Sequence, residues 1–297
     1  MVTLALLAAA CGPRAPSPAS EPTPGPAASS FPSVDSPPST PPTPAGCNAP
    51  GLAQAALANL RSLRTLNWSP FGRPETGWET YAPRVARELG QTCPPHSTAF
   101  ARALATWQAR HGVSPSGEMT AATFDRMKVS WQMQRPFVRL SASRICPAPP
   151  PETTLAQASP RESYGGKRLL ARPRALAAYR RMVAAARAEE PTIAADPRNL
   201  TIFSAYRSPD YDAARCARDG NCDGVARATC SPHRTGLAFD LYVGQAPGFG
   251  PDSTAEPNRL RQSQTPTYRW LVAHAERFGF VNYPFEPWHW EWVGEAP

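Results

Sequence analysis

No stretch of about 20 consecutive apolar residues occurs in the 297-residue chain, so no segment is expected to span a bilayer as a helix. Dense basic runs are missing too. Lys and Arg number 31 against 23 Asp and Glu, for a formal net charge of +8, and the pI is near 9.4. The arginines are scattered among acids, which argues against a nucleic-acid surface and leaves anionic lipid or an acidic polymer as partners for the positive charge. None of the seven cysteines forms a Cys-x-x-Cys pair, so a structural zinc held by cysteines is not expected. Asp219, Asn221 and Asp223 alternate like a calcium loop, but the closing glutamate of that motif is absent. They read as solvated turn residues.

What is present divides the chain by composition. Residues 1–10 are apolar and end in Leu7-Ala-Ala-Ala10 before Cys11. This resembles the lipobox of a bacterial lipoprotein, which implies Cys11 as a lipid-carrying terminus and a membrane as partner. An ordinary secretory signal is the alternative. Residues 12–46 are mostly Pro, Ser, Ala and Thr, too polar to fold, and would form an extended tether reaching on the order of 100 Å.

Residues 47–135 read as a small all-α domain. Apolar residues recur at helical spacing over Leu52–Leu66, Trp78–Leu89 and Phe100–Val113. Gly112 marks a stop, and another helix starts near Ser116. Trp107, Gln108, His111, Gly112, Gly117, Thr120 and Phe124 resemble the peptidoglycan-binding domains found beside wall hydrolases. Residues 136–160, with Pro147-Ala-Pro-Pro-Pro151, read as a second linker. The rest, 161–297, mixes a helix at Arg174–Glu190, a strand at Leu200–Phe203, a second helix at Thr267–Phe278 and a strand at Gly279–Tyr283. Such a mixture suggests an α+β domain with a small antiparallel sheet flanked by helices.

With Cys11 set aside, six cysteines remain. An even number in an exported chain suggests three disulfides, but six cysteines allow 15 pairings. Proximity favours Cys216–Cys222. Cys47–Cys93 would staple the small domain, and Cys146–Cys230 would fasten the linker beside the loop that follows Cys230.

The chemistry concentrates in Ser231-Pro-His-Arg-Thr-Gly-Leu-Ala-Phe-Asp240 and Glu286-Pro-Trp-His-Trp290. Two imidazoles and a carboxylate suit a hydrolytic zinc site with one open position. His233, Asp240 and His289 are the expected ligands. Glu286 is the expected unliganded base. Gly236 permits a tight turn between His233 and a strand over Leu237–Val243. Pro287 argues for a bend before a short aromatic strand, not a helix.

Ser231, His233, Gly236, Ala238 and Asp240, followed by Glu286, Trp288 and His289, resemble the motif pair of the VanY and LAS-type zinc D-alanyl-D-alanine carboxypeptidases. The resemblance implies Zn2+ as cofactor and peptidoglycan stem peptides as substrate, in the cell envelope. It also implies that Arg207, within Ser204-Ala-Tyr-Arg-Ser208, faces the scissile carbonyl and that Ser231 helps hold the terminal carboxylate. Many relatives carry a glutamine shortly after that arginine; here the chain runs Pro209-Asp-Tyr-Asp212. The same metal set also serves L,D-carboxypeptidases and wall endopeptidases. A non-catalytic wall-binding lipoprotein is the remaining alternative.

Overall fold

A computed structural model describes residues 43–220, Cys222 and 230–297. Cys11 with its lipobox, most of the tether, and Asn221 and Asp223 lie outside the described residues, as does the side chain of Asp219. Pro42–Pro297 is one compact unit. No helix among the described residues is long and apolar enough to cross a membrane.

The first half is built from helix α1 (Ala53–Thr65), a short antiparallel pair β1 (Asn67–Trp68) and β2 (Glu75–Thr76), and helices α2 (Ala82–Glu88), α3 (Thr98–Arg110), α4 (Ala121–Met133) and α5 (Pro136–Ala142). Side-chain caps set two of the starts. Ser97 Oγ accepts from the Phe100 amide at 3.1 Å and Thr120 Oγ1 from the Thr123 amide at 3.1 Å, each worth ~1 kcal/mol. Pro136 opens α5, where a missing amide hydrogen costs nothing. Trp78, Tyr81, Phe100, Leu104, Phe124 and Trp131 form the core of this half. The buried Gln108 side chain accepts from the Gly117 amide (2.8 Å) and donates to the Glu118 carbonyl (2.9 Å). Gly117 has φ +74°, and a Cβ there would meet the Ala101 carbonyl oxygen at 2.7 Å. Several residues of the peptidoglycan-binding-like pattern therefore hold this fold together.

The second half begins with the pair β3 (Ala156–Gln157) and β4 (Leu170–Ala171), then α6 (Pro173–Glu189) and α7 (Pro191–Ala195). Next come β5 (Ile202–Ser204), α8 (Pro209–Asp219), β6 (Ala238–Leu241), α9 (Glu256–Ser263), α10 (Pro266–His274), β7 (Phe280–Asn282) and β8 (His289–Trp292). The sheet has the order β5-β6-β8-β7, antiparallel throughout, so the α+β expectation holds. Side chains alternate across a strand. Phe239, Leu241, Trp290 and Trp292 enter a core shared with Leu176, Tyr179 and Met182 of α6 and Tyr268 and Leu271 of α10. Ala238, Asp240, His289 and Glu291 therefore lie on the opposite face.

The two halves are packed together. Arg259 of α9 forms a buried ion pair with Glu75 at 3.1 Å and contacts the Tyr81 hydroxyl at 3.1 Å. Phe71 meets Tyr283 edge-on, with centroids 5.6 Å apart, and Arg87 pairs with Glu276 at 2.7 Å. Residues 136–160 carry more structure than a linker, since they contain α5, a 3-10 turn at Glu152–Thr154 and β3. The structure joins Cys47 to Cys93, Cys146 to Cys230 and Cys216 to Cys222. The second bond fastens this stretch to the residue preceding Ser231.

Candidate active site

Local folding delivers each side chain. In the central pair of the sheet, Asp240 and His289 are cross-strand partners and so project from the same face. His233 sits in a 3-10 turn over Pro232–Thr235, ended by Gly236 at φ +71°, a conformation glycine adopts without strain. Glu286 opens a turn whose carbonyl accepts from the His289 amide at 2.9 Å. Pro287 takes the second position of that turn, where its fixed φ is favoured. The bend places Glu286 and His289 in one cleft with His233 and Asp240.

His233, Asp240 and His289 are buried, and their ligand atoms lie within 4.8 Å of one another. His233 Nε2 is 3.2 Å from Asp240 Oδ2, and His289 Nδ1 is 2.9 Å from Asp240 Oδ1. Each ring's other nitrogen is occupied. His233 Nδ1–H donates to the Ala205 carbonyl at 2.7 Å, and His289 Nε2–H donates to Glu291 Oε1 at 3.2 Å. With those tautomers, two imidazole lone pairs face a carboxylate at hydrogen-bond distance, an arrangement satisfied by a shared metal ion or, without one, by a further proton on a ring. Ligand atoms ~2.1 Å from a tetrahedral zinc would stand roughly 3.4 Å apart. The donor set therefore fits a divalent metal in its chemistry, and the two imidazole–carboxylate spacings, 3.2 and 2.9 Å, are close to that value.

The electrostatics agree. Burial raises an aspartate's pKa, yet the two imidazoles hold Asp240 well below the usual carboxylate range. Burial, then Arg207, pushes His233 down, keeping it neutral. Burial opposes protonation of His289 as well, but its hydrogen bonds to Asp240 and Glu291 prevail and raise it to about 9 while no metal is bound. Burial raises Glu286 above the ordinary glutamate value, toward the range useful for a base.

Arg207 and Ser231 line the same cleft but are already engaged. Arg207 Nε lies 2.9 Å from Asp212 Oδ1 as an ion pair, without the alignment of a hydrogen bond. Its Nη2 reaches Ser231 Oγ at 3.3 Å, and Ser231 donates to Asp212 Oδ2 at 2.7 Å. Asp212, on the first turn of α8, thus anchors both residues. Neither Asp212 nor Glu291 emerged from the sequence as a site residue. For Glu291 a signal was there: two places beyond His289 in a strand, it must share that residue's face.

The cleft holds about 1250 Å3. Phe71, Arg73, Lys128 and Arg135 of the helical half line it together with His233, Asp240 and His289 of the other half.

Comparison of the chain with curated proteins gives no match. Residues 168–295 match the family model VanY, D-alanyl-D-alanine carboxypeptidase, and all four residues of the proposed ligand-and-base set fall within them. The C-terminal part of this chain is therefore a domain of the VanY family of D-alanyl-D-alanine carboxypeptidases.

Proposed function

We propose that the protein is a zinc-dependent D-alanyl-D-alanine carboxypeptidase that releases the terminal D-alanine from peptidoglycan stem peptides in the cell envelope. The observation carrying this reading is the convergence of His233, Asp240 and His289 with both outer ring nitrogens already committed. Zn2+ held there would supply a Lewis acid for the scissile carbonyl and acidify a water molecule. Glu286 accepts a proton from the attacking water and returns it to the leaving amine. Arg207, oriented by Asp212, donates to the oxyanion that develops. Ser231 helps seat the substrate's terminal carboxylate. Arg73, Lys128, Lys167 and Arg168 make the cleft rim cationic, which favours an anionic peptide. Under this reading Cys11 anchors the enzyme to a membrane, the Pro-rich tether spans toward the wall, and the helical half contributes to wall binding.

Zinc content and product analysis test the assignment together. The purified protein should carry close to one equivalent of zinc, and a chelator should remove both metal and activity. Mass spectrometry of digested muropeptides should show loss of a single terminal D-alanine. Cleaved cross-links would identify an endopeptidase, and loss of a residue from a shortened stem an L,D-carboxypeptidase. A metal-free, inactive preparation would favour the non-catalytic wall-binding alternative.

Metal uptake should also depend on pH with a definite sign. His289 holds its proton up to about 9 in the metal-free protein, and zinc must displace that proton. Affinity is therefore expected to rise with pH, by about tenfold per unit between pH 6 and 8 for one proton released. Chelator competition across that interval measures the slope; a flat profile would remove His289 as a ligand.

A further inference from the structure

The matched family segment begins at residue 168, yet a residue well upstream reaches the metal site. Arg135 lies between α4 and α5 and is only 6% exposed. Its Nε and Nη2 approach Glu291 Oε1 at 2.7 and 2.5 Å. The same oxygen accepts from His289 Nε2–H at 3.2 Å. Glu291 and His289 are themselves 3% and 2% exposed, so no solvent shell competes for these contacts. The guanidinium is fixed on its other sides as well. Nη1 donates to Gln132 Oε1 at 2.6 Å, and Cζ lies 4.4 Å from the centroid of the Tyr283 ring. Tyr283 in turn donates its amide to the His289 carbonyl at 3.0 Å. Arg135 thus supports His289 through both its ring and its backbone.

We propose that Arg135 is a positioning residue of the metal centre, so that the helical half completes a site whose ligands all come from the other half. This rests on the reading that His233, Asp240 and His289 hold zinc. The physical reason is orientation. A carboxylate that accepts from an imidazole fixes both the tautomer and the rotation of the ring. Glu291 can do so only while its own rotamer is fixed, and a planar guanidinium directing two donors at one oxygen supplies that constraint. Without Arg135, Glu291 is a buried carboxylate lacking its cationic partner, and a shift of its side chain leaves the His289 ring free to turn Nδ1 away from Asp240.

The test uses the full chain, stripped of metal and titrated with Zn2+ against a chromophoric chelator. R135M keeps the aliphatic stem and removes the fork, R135K keeps the charge, and E291Q keeps the shape of the intermediary. R135M and E291Q are expected to bind zinc about 10–100-fold more weakly than wild type, with R135K between. The double variant R135M/E291Q should lose no more than the weaker of the two single variants, because both act through one contact. Wild-type zinc affinity in folded R135M and E291Q overturns the inference and leaves the metal site standing. Failure of the wild-type chain to bind zinc overturns both. Should R135M not fold, R135K and E291Q decide: weaker binding supports the role, and unchanged affinity in both rejects it.

Discussion

Replacing Glu286 with glutamine is expected to leave zinc uptake intact and to lower kcat on the order of 10²–10⁴-fold, the usual contribution of a positioned general base. The amide keeps the shape and burial of the carboxylate, so the turn over residues 286–289 and the ligand geometry should persist. What it removes is the capacity to accept a proton. Burial raises the Glu286 pKa, so the group takes up a proton as pH falls through that raised value. The acid limb of kcat/KM that this group produces in the wild type should therefore vanish in the variant along with most turnover. Steady-state kinetics on a pentapeptide stem, with zinc content measured on the same sample, decides the matter. Turnover at the wild-type level would take Glu286 out of the mechanism.

Arg259→Met should destabilise the protein by about 3–5 kcal/mol, the typical cost of leaving one charge of a buried pair uncompensated. Arg259 is 1% exposed and Glu75 6%. Their 3.1 Å ion pair is tied to Tyr81, whose hydroxyl donates to the Glu75 carboxylate at 2.9 Å. The guanidinium also lies 4.4 Å from the Phe285 ring centroid and donates to the Thr254 carbonyl at 3.0 Å. Even with the arginine present, burial keeps the Glu75 pKa raised, so removing the cation leaves that group to be neutralised or exposed. Urea unfolding monitored by tryptophan fluorescence gives the number. Adding Glu75→Gln to the variant should recover part of the loss, since the stranded charge disappears with it. A change within 0.5 kcal/mol, the scatter of ordinary surface substitutions, would mean that water reaches this cluster.

The convergence of His233, Asp240 and His289 was legible because the chemistry is carried by residue types at fixed offsets. A seven-residue step from His233 to Asp240 with a glycine between them, and a proline between Glu286 and His289, specify turns whose consequences can be worked out locally. The strands and the α6 helix were legible for the same reason: Leu176, Tyr179 and Met182 recur at helical spacing, and their burial follows. Long-range partners were not. Arg135 and Glu291 are 156 positions apart, and nothing local marks an arginine at a helix junction as the support of a distant carboxylate. Asp212 was hidden differently. Its meeting with Arg207 depends on α8 starting at Pro209 with Ser208 as cap, a boundary that a count of apolar residues does not define. The run Pro147-Ala-Pro-Pro-Pro151 made residues 136–160 read as a linker, although α5 and β3 lie on either side of that run.

The composition of the cleft lining has a consequence for redesign. Part of that lining is His233, Asp240 and His289, the proposed ligands, which can hardly change without loss of a bound ion. The helical half contributes Phe71, Arg73 and Lys128 to the lining, none of which belongs to the proposed ligand set. Exchanging those three side chains offers a way to retune which peptides are admitted while the reactive centre stays as it is, provided that Arg135, the proposed brace from the same half, is left in place.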